Sequence, residues 1–433
     1  MKTSRSRCHS RRIRLSQEPA PVDANSINPS EGLSVWASAL RATRRADMDV
    51  KRKPRVGIDL TGVWRPSTGI FAYAVQLTRE LLSIDDENSY TLFFSGQIHP
   101  EFHGLRDKFR AVVIRCREEV LGKQIFLAAL CHTCGLDLIH FPAFPPPVAC
   151  FRPFVWTLHD ATPWLHPETM DWKGRLYFRS VGPWSSRSSE AIIAVSNSAK
   201  RDIVDALQVP EDKMEVIYEG VDGAFRRLAD EALMNSVRVR YHLPQRFILA
   251  VGTIEPRKNL PFLVEAHRRL CEANQEEVGL VVAGRMGWNQ ASLLPVAEGR
   301  GKIVFTGFIP QRELVALYNL AEVFVLPSIY EGFGFPPLEA MASGCPVIVS
   351  NRGSLPEIVG DAAVLIDPEN VDSLLEALQS VLRTPSLRAI LVEKGFARVR
   401  QFSWRTAAVR TLELYERIIL RTPKRHTVFD RLN

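Results

Sequence analysis

From Pro54 onward, short runs rich in β-branched and aromatic residues alternate with stretches of helical periodicity. That alternation confines the chain to parallel sheets covered by helices on both faces, an α/β architecture. The candidate strands are residues 55–60, 90–94, 111–114, 138–141, 154–158 and 191–195, with a helix expected over 70–82, where Ile70, Ala74, Leu77 and Leu81 recur at helical spacing. Between about Gly220 and Leu243 the pattern pauses and the sequence turns polar. Six further candidate strands follow, at 247–251, 280–283, 303–305, 323–326, 347–349 and 363–365, and then an amphipathic stretch over 404–420. The reading is two Rossmann-like domains, 54–225 and 226–400, a helix over 401–420 returning toward the first domain, a tail at 421–433 and a leader at 1–53.

The leader carries the charge. Its 53 residues hold 12 Lys and Arg against 5 Asp and Glu, which accounts for the whole net charge of +7. It lacks apolar periodicity and is expected to be disordered. Met48, just before the first strand, is a candidate start. The body has no net charge, which argues against nucleic acid as its partner. Seven cysteines in 433 residues are too few for a disulfide scaffold. No apolar run is long enough to span a bilayer and no signal-type apolar core follows the basic terminus, so a cytoplasmic location is expected.

The richest segment runs from Leu326 to Pro346, LPSIYEGFGFPPLEAMASGCP. A strand ends, a loop holds Gly332 and Gly334, and Pro336 and Pro337 suit the first turn of a helix, where no intrahelical N–H bond is lost. Strand, glycine loop and helix N-terminus form a ready anion site. Glu331 and Glu339 bracket it, eight residues apart, and carboxylates there suit hydroxyls of a ribose or sugar better than phosphate. Positive charge then has to come from elsewhere. Arg257 and Lys258, in the loop GTIEPRKN after strand 247–251, are suited to a diphosphate at the carboxyl end of a sheet. In the first domain, Gly69 either lets backbone approach a ligand at a second helix N-terminus or is simply a helix-start glycine. His159, at the end of strand 154–158, is placed to touch a transferred group.

These segments resemble family 4 of the retaining glycosyltransferases, which have the GT-B fold. The resemblance rests on EGFGFPPLEAMASG, GTIEPRKN and TLHD, with weaker echoes in DLIHFPAF, IIAVSNSAKRDI, VIYEGVD and FTGFIPQREL, and covers about residues 54–420. It implies a nucleotide-sugar donor held mainly by the second domain. Glu339 would take the ribose hydroxyls, Glu331 the sugar hydroxyls, and amides of Phe333, Gly334 and Phe335 the sugar and diphosphate. Arg257 and Lys258 would stabilise the leaving nucleoside diphosphate. Front-face attack, assisted by the donor phosphate, is implied, with no cofactor and no metal; Asp47-Met48-Asp49 lies in the leader and reads as chance. The implied reaction moves a hexose, with a lean to mannose, onto a saccharide or lipid-linked acceptor in polysaccharide or lipopolysaccharide assembly. The alternative is a non-catalytic nucleotide-sugar or nucleic-acid binding protein. A dinucleotide-dependent oxidoreductase is rejected because its glycine fingerprint does not follow the first strand.

Glu219 in VIYEGVD departs from the family, where many members carry Asn; a changed linker-turn contact is expected, with no effect on the donor site. The Cys131-His132-Thr133-Cys134 string, with His140 nearby, lacks a second ligand pair and does not read as a zinc site. Residues 175–187 mix Arg175, Arg179 and Arg187 with Tyr177, Phe178 and Trp184. Peripheral contact with the inner membrane surface is one reading. An ordinary half-buried helix with snorkelling arginines is the preferred one.

Overall fold

The computed structural model describes residues 52–63, 69–115, 122–170, 172–274, 278–287 and 301–421. The basic leader, Asp47-Met48-Asp49 included, and residues 422–433 of the tail lie outside the described residues.

The first sheet is built from β1 (Arg55–Leu60), β2 (Ser89–Ser95), β3 (Phe109–Ile114), β4 (Leu138–Phe141), β5 (Phe154–Leu158), β6 (Ala191–Ala194) and β7 (Met214–Val216). Its order is β3-β2-β1-β4-β5-β6-β7, and every pairing is parallel. Around it lie α1 (Gly69–Ile84), a π-helical turn (Gly122–Leu127) running into α2 (Ala128–Thr133), α3 (Thr162–Leu165), α4 (Trp172–Ser188) and α5 (Asn197–Leu207).

The chain then crosses through α6 (Glu231–Arg240) into a second parallel sheet. Its strands are β8 (Phe247–Val251), β9 (Gly279–Ala283), β10 (Ile303–Gly307), β11 (Val323–Leu326), β12 (Val347–Ser350) and β13 (Val364–Ile366), in the order β10-β9-β8-β11-β12-β13. Its helices are α7 (Leu260–Asn274), α8 (Gln311–Leu320), α9 (Phe335–Ala342), α10 (Leu355–Val359), α11 (Val371–Arg383) and α12 (Pro385–Val399). Strands covered on both faces must be apolar throughout, and β5, β9 and β11 are buried at every position. The helices carry one apolar stripe each. In α11 it is Leu374, Ala377, Leu378, Val381 and Leu382, and the Asn370 side chain caps the first turn by accepting from the Asp372 and Ser373 amides.

Two elements escape the expected pattern. Strand β7 has only three residues and a single fully buried side chain. Helix α6 lies inside the polar pause, capped by Asp230 accepting from the Leu233 amide, with Val237 its only buried residue. The helix expected over 70–82 runs from Gly69 to Ile84, and the last strand sits at 364–366, one residue beyond the expected span.

The last helix, α13 (Trp404–Arg421), returns to the first sheet. There the Tyr415 hydroxyl meets His140 Nδ1 at 2.6 Å, and His140 Nε2 meets the Thr157 hydroxyl at 2.8 Å. In each sheet the strand order reverses once, between β1 and β4 and between β8 and β11. Loops leaving the carboxyl ends of such a strand pair diverge and leave a crevice, the usual ligand position in open α/β sheets.

Candidate active site

The crevice of the second sheet brings together the loops after β8 and β11. Pro256–Lys258 forms a 3-10 turn, and Asn259 closes it with φ 51°. The Ile329 amide donates to the Arg257 carbonyl at 2.9 Å, which ties the two loops together. Arg257 Nη1 then donates to the Tyr330 carbonyl and to Glu331 Oε2, both at 2.7 Å, while Nη2 donates to Glu255 Oε1 at 2.6 Å. Lys258 Nζ donates to the other Glu331 oxygen at 2.6 Å. Glu331 is thus clamped between two cations. Burial pushes its carboxyl up, but Arg257 and Lys258 outweigh burial and hold it at about 2. The roles expected from sequence, hydroxyls for Glu331 and phosphate for the cations, concern the donor; within the protein the three side chains bond one another. Here Glu331 fills the cations' valence, and two carboxylates balance two cations within one buried cluster.

The glycine loop is held by its carbonyls. The Ser354 hydroxyl, with one proton to give, donates to the Phe333 carbonyl (2.7 Å) and lies 3.0 Å from that of Glu331, and the Ser196 hydroxyl, from the first half, donates to that of Gly332 (2.7 Å). Gly334 has φ 110°, in the left-handed region that favours glycine, and stands just before α9. The first-turn amides of α9 have no acceptor within their own helix. Gly332 is required for a different reason. A Cβ there would lie 2.1 Å from the His159 carbonyl oxygen, so the two halves meet backbone to backbone at this point. Gly69 also faces the opposite half, since its Cβ would lie 3.2 Å from the Phe335 ring.

His159 is in the cleft, but its ring nitrogens are engaged. Nδ1 meets Glu219 Oε1 at 3.2 Å and Nε2 meets the Pro142 carbonyl at 2.9 Å. Both partners are acceptors in their ordinary states, so the arrangement suits an imidazolium. Burial lowers the ring's pKa, but the Glu219 carboxylate, the Pro142 carbonyl and Asp160 outweigh it, and the net direction is up. What His159 presents to the glycine loop is its carbonyl. Glu219, for which only a changed linker-turn contact was expected, meets the His159 ring.

Glu339 stands apart from the Arg257 cluster. The Tyr318 hydroxyl donates to its Oε2 at 2.9 Å. Burial raises its carboxyl to about 7, with the Asp222 charge adding and the Tyr318 bond opposing. Asp222 itself accepts from Gln76 of α1 (2.7 Å) and Gln311 of α8 (2.8 Å), bridging the halves.

Sequence reasoning missed Glu255 and Tyr318, and it missed His159 as the partner of Glu219. It also missed a buried ion pair, Lys123 with Asp59 at 2.7 Å, at the end of β1. An aspartate inside the apolar strand RVGIDL was the available signal for that pair. At the Cys131 string, His132 bonds the Ala149 carbonyl at 2.8 Å and His140 lies between Tyr415 and Thr157, so both imidazoles have other partners. Among the described residues no group of three His, Cys, Asp or Glu is placed to hold a metal ion. Among the same residues no helix is long and apolar enough to cross a membrane.

Comparison with known proteins agrees with this geometry. The profile described as "Glycosyl transferases group 1" matches residues 238–398, and "Glycosyltransferase Family 4" matches residues 67–225. O-antigen chain mannosyltransferase B of Escherichia coli is 34% identical over 284 residues, covering 64% of this chain and 74% of that protein. The serotype-specific mannosyltransferase WbdA of Escherichia coli is 32% identical over 273 residues, 61% of this chain but only 33% of its own length. The solved structure of Anabaena HepE with UDP and glucose superposes with a TM-score of 0.67 at 18% identity, over 84% of this chain and all of that one. WaaG, a glycosyltransferase of lipopolysaccharide biosynthesis, superposes with a TM-score of 0.65 at 15% identity, over 83% of this chain and 99% of that one. At such identities these two establish the fold, which is GT-B. Two reversed-order parallel sheets, paired cations at one crevice and a relative matched over most of its length converge: the chain is a glycosyltransferase and belongs to glycosyltransferase family 4, the group 1 glycosyl transferases.

Proposed function

We propose that the protein is a retaining hexosyltransferase that moves mannose from a nucleotide-diphosphate sugar to a saccharide or lipid-linked acceptor in polysaccharide or lipopolysaccharide assembly. The observation that carries the chemistry is the Arg257–Glu331–Lys258 clamp at the β8/β11 crevice. The lean to mannose and to O-antigen-type polymers comes from the names of the relatives.

In this reading Glu331 holds the two cations in register until the donor arrives. Sugar hydroxyls then donate to Glu331 in their place, and the guanidinium and ammonium turn to the diphosphate. The bond between the anomeric carbon and the phosphate oxygen breaks with its electron pair leaving on the diphosphate, where Arg257 and Lys258 take up the growing charge. An acceptor oxygen bonds the same carbon from the same face, and its proton passes to the departing phosphate oxygen. The cations supply the charge neutralisation, so no cofactor enters this scheme. Glu339 accepts two ribose hydroxyls when ionised, and the amides of Phe333, Gly334 and Phe335 face sugar and diphosphate.

A panel of nucleotide sugars tests the proposal. The true donor raises the unfolding temperature by mass action, with about 2.7 kcal/mol of stabilisation at 100 Kd, and supports transfer with the α-linkage of GDP-mannose preserved, read by the one-bond coupling between the anomeric carbon and its proton. An inverted product would overturn the retaining assignment, and protection by no GDP- or UDP-sugar would overturn the donor class.

A further inference from the structure

A cavity of about 500 Å³ opens between the two halves, within the roughly 300–1,000 Å³ range of small-ligand sites. The first half supplies His166, just after α3, and Ser198 and Asp202 of α5. The second supplies Tyr330, Arg352 and Glu369, in the loops after β11, β12 and β13. The strand order puts β12 and β13 on the far side of β11 from β8, β9 and β10. The cavity and the Arg257 turn therefore flank the same β11 loop. Arg257 donates to the Tyr330 carbonyl, and Asn259, which closes the turn, donates to the carbonyl of Pro368 in the cavity wall at 3.0 Å. A Cβ on Gly353, also in that wall, would lie 2.7 Å from the Glu331 carbonyl oxygen, so the cavity backs onto the clamped carboxylate's own backbone.

The lining suits hydroxyls. The Tyr330 phenol donates to Asp202 Oδ2 at 2.9 Å and accepts from the Ala161 amide at 3.2 Å, and its ring lies 5.1 Å from that of His166. A carboxylate offers about four acceptor sites, more than one phenol uses. Arg352 pairs with Asp367 at 3.2 Å and Glu369 at 3.4 Å, through Nη2 in both cases, which leaves further donors of its five-donor fork. An anion is poorly served here. The first turn of α5, the natural anion position, is filled by Glu357, which accepts from the Asn197 and Ser198 amides at 2.7 and 2.9 Å. Asp202 and Glu369 add negative charge to the same walls. Leu165, Ile329 and Pro368 complete the lining with apolar surface. Apolar and aromatic walls with a few convergent polar groups fit a neutral polyol better than a phosphate.

We infer that this cavity binds a neutral sugar ring of the acceptor, with Asp202 and Arg352 taking its hydroxyls and the Tyr330 and His166 rings packing on its C–H face. Its place beside Tyr330 and Glu331 puts that ring next to the sugar end of the donor and away from Glu339, whose partner Tyr318 lies on α8, between β10 and β11. Both halves supply lining, so the site is complete only while they are together. Sugar binding rests on the cavity alone; that the sugar belongs to the acceptor rests on the glycosyl-transfer reading.

The test is calorimetry of the full chain, with GDP or UDP present, against neutral di- and trisaccharides of mannose, glucose and galactose. Two variants decide it. Asp202→Asn keeps an acceptor for the Tyr330 phenol, and His166→Ala/Arg352→Ala changes two partly exposed side chains. The parent should bind at least one of these saccharides, and each variant should weaken that binding by about tenfold or more. Unfolding temperature and protection by GDP or UDP should not change. In transfer assays the same variants should raise KM for the acceptor by a similar factor and leave KM for the donor alone. No saccharide bound by the parent, or equal binding by parent and variants, overturns the inference. So does inorganic phosphate that protects the parent but not Arg352→Ala, since the cavity would then be an anion site. Lost saccharide binding with an unchanged acceptor KM would overturn the assignment to the acceptor. Failure of every nucleotide sugar to bind or transfer would strike the transferase reading instead, with saccharide binding still measurable, so the two failures are distinguishable.

Discussion

His159 and Glu219 form a largely buried pair that joins the end of a sheet strand to the segment leading from one half of the enzyme to the other. The contact is 3.2 Å long, Glu219 is 1% exposed, and the second ring nitrogen is tied to the Pro142 carbonyl. The position of the His159 carbonyl against Gly332 is therefore set from behind by Glu219.

Glu219→Gln keeps the shape and removes the charge. Below the ordinary histidine pKa of about 6.5 the raised pKa of His159 contributes its full stabilisation, and this is lost as pH rises through the folded-state value. Glu219, whose own pKa is raised by burial, adds no further change once it is ionised. Denaturant unfolding should show the variant about 2 kcal/mol less stable than the parent at pH 6, with the gap narrowing as pH rises through the folded-state pKa of His159. A gap that does not vary with pH would mean that His159 is not held as a cation.

The proposed mechanism requires the two cations to exchange Glu331 for the diphosphate when the donor binds. Arg257→Ala and Lys258→Ala should each lower kcat by about 10²-fold or more, as loss of a preorganised donor to a leaving-group charge does. Glu331→Gln should also lower kcat. Yet calorimetry should show GDP or UDP bound as tightly as by the parent or more tightly, because the variant releases both cations to the diphosphate. Weakened diphosphate binding in Glu331→Gln would contradict the exchange of partners.

The sequence displayed the sheets because buried parallel strands leave little choice of residue; β1, β4, β5, β8 and β11 have the expected limits. It hid β7 and α6, whose burial is slight and whose apolar patterns are correspondingly weak. Residue types at the site were also legible, since Arg257, Lys258 and Glu331 each follow a strand end. Their pairing was not, because residues 73 or 74 positions apart meet only through the β8/β11 order. Glu219 was seen as unusual, but nothing local in VIYEGVD reveals that His159, 60 residues earlier, is its partner.

Glu339 should make donor binding depend on pH near neutrality. A carboxylate accepts two ribose hydroxyls only when ionised, and burial has lifted this one to about 7. Affinity for GDP or UDP should be constant above that value and weaken as pH falls through it, approaching tenfold per unit. Tyr318→Phe deletes a bond that lowers the pKa, so the weakening should begin at higher pH. Glu339→Gln should bind weakly at every pH, and a profile in that variant as steep as the parent's would assign the titration to another group.

Gly332→Ala isolates the meeting of the two halves. The added methyl would stand 2.1 Å from the His159 carbonyl oxygen and 2.8 Å from Asp160 Cβ. A backbone carbonyl just past β5, backed by the His159–Glu219 contact, cannot swing away as a flexible side-chain end does, so the two backbones are expected to be pushed apart. The second sheet still carries Arg257, Lys258 and Glu339. GDP or UDP should therefore bind within about tenfold of the parent while kcat falls by about 10²-fold or more, the scale expected when reacting groups are displaced by an ångström. Steady-state kinetics alongside calorimetry checks the split. Parent-like kcat in Gly332→Ala would show that turnover does not need this backbone contact.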